Sequence, residues 1–414
     1  MPGPIALATL RTSAVLGLRL AVQAGNLLLV ARLLGPQQFG AFAGIAALAV
    51  LLGALSTFGT HLVLLGEMSK DPARREQVLR YALPTTLLCG GVLLVVYRLL
   101  CAGWLGVTII PAAVLLLIGI TELLLQPLLI LVVGEYHAAG RIAGSQWLQM
   151  LPMVFRLMVL CILALWQPTQ VLTLYAVGYV MASVVALTYA TGRLPQSWPS
   201  WRDWRLPCRA EWRNALGYAA INLSKAGPTE LDKTLALRLL PHDSAGVYAA
   251  GARVVGAIAL PVTAMTLSAL PRLFREGHQR SGSHLLAWMY GVASVYSLLL
   301  AGVLWLAAPI FSLLFGAHYA GIGDVIHVLC LAAPGIALRL VAGNALMALG
   351  KPWMRVGFET VGLIILTLAS IWLVASQGSR GLPLALVCAE WGMAAFGAWL
   401  VVQARQQKQG VNHI

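Results

Sequence analysis

The chain consists almost entirely of apolar stretches about 20 residues long, the length a helix needs to cross a hydrocarbon core of about 30 Å. That recurrence constrains the fold more than any motif. About twelve such stretches follow one another, at 11–33, 39–65, 81–103, 109–133, 142–166, 171–191, 214–239, 247–271, 285–308, 323–349, 353–376 and 381–402. Inside a bilayer each backbone N–H and C=O must be satisfied within its own segment, so each stretch is predicted to be a helix. With 59% hydrophobic and 10% charged residues and a mean hydropathy of +0.82, the fold class is an all-α integral membrane protein. The first stretch carries Arg19 in its middle and lacks a small-residue cleavage pattern, so it is expected to remain as helix one.

A net charge of +14 points to nucleic acid in a soluble protein, but here the basic residues crowd alternate connections. Lys70, Arg74, Arg75 and Arg80 form one group, Arg193, Arg202, Arg205, Arg209 and Arg213 another, and Arg272, Arg275 and Arg280 a third. Arg141, Lys351, Arg355, Arg405 and Lys408 continue the alternation, whereas the intervening connections carry only Arg380. Because Lys and Arg resist translocation, the basic loops and both termini are assigned to the cytoplasm. No nucleic-acid partner is expected. The stretch "WPSWRDWRLPCRAEW" reads as an interfacial linker.

The segment Arg32–Ala43, "RLLGPQQFGAFA", has an echo at Arg238–Ala249, "RLLPHDSAGVYA", offset by 206 residues, half of the 414-residue chain within a residue. Duplication predicts such an offset. The chain is therefore read as a six-helix lobe at 1–191, a cytoplasmic linker at 192–213, a second six-helix lobe at 214–402 and a tail at 403–414. An even number of helices per lobe relates the two by a pseudo-twofold axis along the membrane normal, with a transport path between them. Gly35, Pro36 and Gly40 are expected to shape the first bend.

The same offset pairs Arg19 with Lys225, Gln23 with Thr229 and Asn26 with Asp232, a polar stripe on one face of each lobe's first helix. A mid-bilayer charge costs roughly 2.5–3.5 kcal/mol, so such stripes should face a wet cavity or a partner. Other interior charges are Arg156, Lys233, Arg253 and Arg339 against Glu122, Glu230, Glu359 and Glu390. The modest excess of bases favours an anionic substrate, and Arg pairs most strongly with phosphate. Some of these charges are expected only to pair, such as Glu230 with Lys233 and Arg355 with Glu359. Glu122 and Glu390 stand alone in apolar sequence and are candidate proton carriers, although a local bond from Glu122 to Gln126 is equally open.

Other signals are declined. The six cysteines form no C-x-x-C pair, and no H-E-x-x-H motif occurs, so neither a metal site nor another cofactor is expected. "GNALMALGKP" has the wrong glycine spacing for a phosphate loop.

Four blocks in order, "NLLLVARLLGPQQFGAFA", "STFGTHLVLLGEMSKD", "ELDKTLALRLLPHDSAGVYAAGARV" and "APIFSLLFGAHYAGIGDVIHVL", resemble the polysaccharide transporter branch of the MOP exporters, the Wzx-type flippases. The likeness departs before helix twelve, at "GSRGLPLALVCAE". It implies a bacterial inner-membrane transporter, not an enzyme. Such a transporter moves an undecaprenyl-diphosphate-linked oligosaccharide to the periplasmic leaflet by ion-coupled alternating access. On that reading Arg19, Lys225, Arg156 and Arg339 hold the diphosphate, and Gln23, Asn26 and Thr229 contact glycan. Asp232, Glu122 and Glu390 couple protons or sodium ions. The partners implied are the lipid-linked glycan, those ions and membrane lipids, with polymerase and chain-length proteins of the same pathway as further candidates. Relatives that flip the peptidoglycan precursor carry two further helices and an arginine where this chain has Asn26. A drug exporter of the same superfamily, or a membrane polymerase or acyltransferase acting on the same carrier, are the alternatives.

Overall fold

The computed structural model describes residues 4–276 and 280–411. The side chains of Arg272, Arg275, Arg280 and Lys408, used in the charge reading, lie outside the described residues, as does the end of the 403–414 tail. Among the described residues there is no strand, and fifteen α-helices follow in order. They are α1 (Pro4–Ser56), α2 (Thr60–Lys70), α3 (Arg75–Leu99), α4 (Ala112–Ile120), α5 (Gln126–Ala138), α6 (Ile142–Trp166), α7 (Val171–Gly192), α8 (Arg209–Leu239), α9 (His242–Gly256), α10 (Ala259–Glu276), α11 (Arg280–Phe315), α12 (Ile322–Cys330), α13 (Ala333–Ala348), α14 (Pro352–Gln377) and α15 (Gly381–Val411).

These resolve into the twelve crossings anticipated above. Eight segments are long and apolar enough to span alone, and α12 with α13, bent by 46°, makes a ninth. Two of the eight, Gly17–Ser56 and Pro352–Gln406, each hold two legs, parted at Gly35 in α1 and at Gly378 between α14 and α15. The remaining crossing is α8, which is less apolar than the other spans because it carries Asn222, Lys225, Glu230, Asp232 and Lys233.

The first bend is tighter than expected. Only Gly35 leaves helical geometry, at φ 68°, a left-handed value that glycine adopts without a Cβ clash. Pro36 then opens the next leg, where its missing N–H costs nothing, and Gly40 lies buried inside that leg rather than in the bend. Pro241, 206 residues on, stands at the corresponding break between α8 and α9. After each break the helix is buried on every side, over residues 39–49 and 245–252. The sequences there, "FGAFAGIAALA" and "AGVYAAGA", are rich in Ala and Gly, which lets neighbouring backbones close in from all directions.

Large apolar side chains face outward instead. Leu165 on α6 is 89% exposed and Leu313 on α11 78%, and the exposed faces of α3 and α14 add Val92, Val95, Leu368 and Trp372. In water such a surface would aggregate, whereas in a bilayer it is the solvated side.

The chain divides into two compact units, Met1–Ala226 and Gly227–Ile414. The boundary falls within α8. In the first unit α1 packs on α3 and α6, α2 on α3 and α5, and α4 on α7. Ala215 and Tyr218 of α8 join a cluster with Val63, Leu64, Leu79, Leu83 and Leu131. In the second unit α9 packs on α12, α10 on α13, and α15 on both α13 and α14.

Candidate functional site

In the first unit the stripe on α1 turns toward α6. Arg19 Nη1 donates to Gln146 Oε1 at 3.4 Å, and its Nε is buried without a hydrogen-bond acceptor. Asn26 Nδ2 donates to the carbonyls of Val22 and Met153, each at 2.9 Å, while Gln23 is half-buried. Asn26 therefore ties α1 to α6 through its amide nitrogen. On α8 the matching stripe is exposed at Lys225 and Thr229 and buried at Asp232.

A second polar centre forms where α4 meets α5. The helix widens there into a π-turn, Thr121–Leu125, which inserts one extra residue per turn and is common at functional sites. Glu122 sits in that turn. Tyr179 of α7 donates its hydroxyl to Glu122 Oε1 at 2.5 Å, and Arg156 of α6 approaches the same oxygen at 3.4 Å. Arg156 also donates to Ser183 Oγ at 3.2 Å and lies over the Tyr179 ring, 3.4 Å from its centroid. Phe42, Tyr175 and Tyr179 enclose the group with edge-on ring contacts of 5.5–6.2 Å. Glu122 is thus not isolated, as the apolar sequence around it suggested. Its bonds come from two other helices rather than from Gln126.

At the basic end of this unit Arg75 Nε donates to Glu135 Oε2 at 2.6 Å and Trp198 Nε1 to Glu135 Oε1 at 2.9 Å. Arg75 also donates to the carbonyls of Gln196 and Ser197, which fastens the linker to α3 and α5. Farther along, Arg205 grips Glu211 with two bonds of 2.6 and 2.8 Å. Those bonds hold the Glu211 carboxyl down at about 2, against its partial burial.

The second unit holds three ion pairs among its interior charges. Arg339 of α13 donates to Glu390 of α15 at 2.7 Å, with both side chains buried. Asp232 accepts from Lys233 at 2.9 Å and from the Tyr248 hydroxyl of α9 at 3.0 Å. Lys233 also donates to the Thr229 carbonyl and so turns to Asp232, where the spacing had suggested Glu230. The expected pair Arg355–Glu359 is present at 3.1 Å. Glu390, like Glu122, has a counter-charge that its neighbours in sequence do not reveal.

Of the residues singled out from sequence, the structure brings together Arg156 with Glu122, Arg339 with Glu390, and Arg19 with the α6 surface that also receives Asn26. Sequence reasoning missed Tyr179, Tyr248, Ser183, Gln146 and His61. Tyr248 alone carried a signal, as the residue matched to Phe42 in the repeat. Among the described residues no group of His, Cys, Asp and Glu side chains is arranged to hold a metal ion.

Residues 12–275 match the family described as "Polysaccharide biosynthesis protein". No curated protein sequence matches the chain. Among solved structures, an inward-facing multidrug resistance MATE family transporter of the MOP superfamily superposes with a TM-score of 0.72 at 13% identity, covering 95% of each chain. The lipid II flippase MurJ in an inward closed conformation gives 0.71 at 10% identity, over 95% of this chain and 88% of that one. A MOP superfamily transporter from Pyrococcus furiosus, described as having a binding pocket of reverse polarity, gives 0.69 at 13%, over 97% and 96%. At such identities these likenesses establish the fold. The chain is a multi-pass membrane protein with the MOP-superfamily transporter fold, and it belongs to the polysaccharide biosynthesis protein family.

Proposed function

We propose that this protein flips an undecaprenyl-diphosphate-linked oligosaccharide across the bacterial inner membrane, from the cytoplasmic to the periplasmic leaflet, with both termini in the cytoplasm. The observation that carries this reading is the placement of charge. Of the interior charges singled out from the sequence, the first unit holds Arg19, Arg156 and Lys225 with one acid, Glu122, besides the Arg75–Glu135 pair at its basic end. A diphosphate supplies negative charge to balance that excess, and guanidinium and ammonium groups bind it by charge-assisted bonds. A cationic drug would meet repulsion there, which disfavours the exporter alternative.

Arg19 and Lys225 are assigned to the diphosphate, with Gln23 and Thr229 placed to meet the glycan. Asn26 retains its side-chain oxygen, buried without a donor, as its means of contact. Arg156 and Arg339 are assigned as counter-charges rather than phosphate ligands, since each already grips a carboxylate. Glu122, Asp232 and Glu390 are the candidates for ion coupling. A proton or sodium ion arriving at any of them competes with a basic or hydroxyl partner, and that competition converts binding into a change of packing.

The test is reconstitution in vesicles with a labelled lipid-linked oligosaccharide. Label should change leaflet faster than in empty vesicles, and faster still with an ion gradient. Efflux of a cationic dye without movement of the glycan lipid would favour the exporter. Polymerised or acylated product from the purified chain would favour an enzyme.

A further inference from the structure

Among the described residues, Phe58 and Gly59 are the only neighbours that both take positive φ, 46° and 77°. Glycine adopts such values freely, but a phenylalanine there is strained and persists only when its surroundings hold it. Here α8 is part of that surrounding. The Phe58 ring meets Trp212 edge-on, with centroids 4.5 Å apart. Gly59 approaches the helix so closely that a Cβ would come within 2.5 Å of the Ala215 carbonyl and 2.7 Å of Ala219 N and Tyr218 Cβ.

Beside this turn His61 links the two elements. Its Nδ1 lies 2.8 Å from Thr57 Oγ1 and its Nε2 3.3 Å from Asn222 Nδ2. One neutral tautomer satisfies both contacts: Asn222 donates to Nε2 while Nδ1–H donates to Thr57. Asn222 is three residues, about one turn, before Lys225, whose charge acts on His61. Ala215 and Ala219 are buried. The helix then crosses the unit boundary between Ala226 and Gly227, and Pro228 interrupts its backbone bonding immediately after. Any movement between the units therefore has to bend α8 at 226–228 or detach it at 57–61.

We infer that Phe58, Gly59 and His61 are positioning residues that dock the first half of α8 on the first unit, which sets where Lys225 stands, and that each transport cycle releases and remakes this docking. The inference rests on the assignment of Lys225 to the substrate phosphate.

The experiment places Ala215→Cys in an otherwise cysteine-free full-length chain in vesicles and measures its rate of labelling by a membrane-permeant maleimide. Ala219→Cys serves as a second reporter. Labelling should be slow at rest and rise about tenfold in Gly59→Ala without any substrate, as a protected surface opens. It should also rise with Gly59 intact when lipid-linked oligosaccharide and an ion gradient are supplied together. Equal labelling with and without the Gly59→Ala substitution would overturn the docking. Labelling that turnover leaves unchanged would overturn its release. If the wild-type chain moves no glycan lipid, the flippase reading fails while the substrate-free arm still reports on docking. His61→Ala should raise the KM for the glycan lipid and lower the transport rate per folded molecule, and His61→Gln should restore part of both. A loss confined to the amount of folded protein would reduce His61 to a structural role.

Discussion

The two units handle interior charge in opposite ways. Of the interior charges singled out from the sequence, with Arg355 counted beside its partner Glu359, the second unit holds Lys233, Arg253, Arg339 and Arg355 with Glu230, Asp232, Glu359 and Glu390, four of each sign. Of those charges the first unit holds Arg19, Arg156 and Lys225 with Glu122. The basic excess visible among the interior charges of the whole chain therefore resides in one unit. In a paired set the attraction offsets much of the burial cost, and removing one member leaves its partner uncompensated. An unbalanced set inside a membrane is expensive, which points to a function that repays it.

The largest expected effect tests the balanced side. Arg339→Ala leaves Glu390 as an uncompensated buried charge and should cost about 3–5 kcal/mol, read as a fall in melting temperature in detergent. Replacing both residues with methionine should recover most of that loss. An Arg339→Ala protein that melts like wild type would remove the structural role assigned to the second unit. On the other side, Tyr179→Phe removes the hydroxyl that Glu122 accepts from, which should cost about 1.5–3 kcal/mol, the value of a bond to a charged group. If that loss matched Arg339→Ala, the contrast between the units would shrink.

The repeat provides a smaller comparison. Gly35→Ala meets no neighbour but must hold φ 68° with ψ 169°, a region that essentially only glycine occupies, so it should cost about 1–3 kcal/mol of melting stability. Pro241→Ala, at the equivalent position with φ of −54°, should cost less. The smallest effect is at the linker. Glu211 is held at about 2 against an ordinary value of 4.5, so its stabilisation is complete above about pH 4.5 and disappears as pH falls through 2. Solvent screens this partly exposed pair, so the contribution is small. Limited proteolysis of the linker should accelerate across that window in wild type, and Glu211→Gln should flatten the change.

The fold was legible because hydropathy reports spans directly, and the echo of "RLLGPQQFGAFA" at Arg238 marked equivalent breaks at Gly35 and Pro241. The pair Arg355–Glu359 was legible because four residues on one helix fix its geometry. Arg156 with Glu122 and Arg339 with Glu390 were not, because they join different helices whose rotation an apolar sequence does not encode. The π-turn at Thr121–Leu125 adds a local rotation that ordinary helical spacing cannot anticipate. Tyr179 and Tyr248 escaped notice because a tyrosine in an apolar run resembles core until its hydroxyl finds a carboxylate. His61 escaped because the break beside it interrupts an otherwise continuous apolar stretch with no proline to announce it.

The central claim is that the excess cations of the first unit meet the substrate's phosphates. The direct measurement is the rate at which labelled lipid-linked oligosaccharide crosses the bilayer in vesicles holding equal amounts of wild-type or Arg19→Gln/Lys225→Gln protein. The account predicts that the double substitution lowers the rate by at least about tenfold, the equivalent of one charge-assisted bond of about 1.4 kcal/mol, while melting stays near wild type. Wild-type transport by the doubly neutralised protein would contradict it.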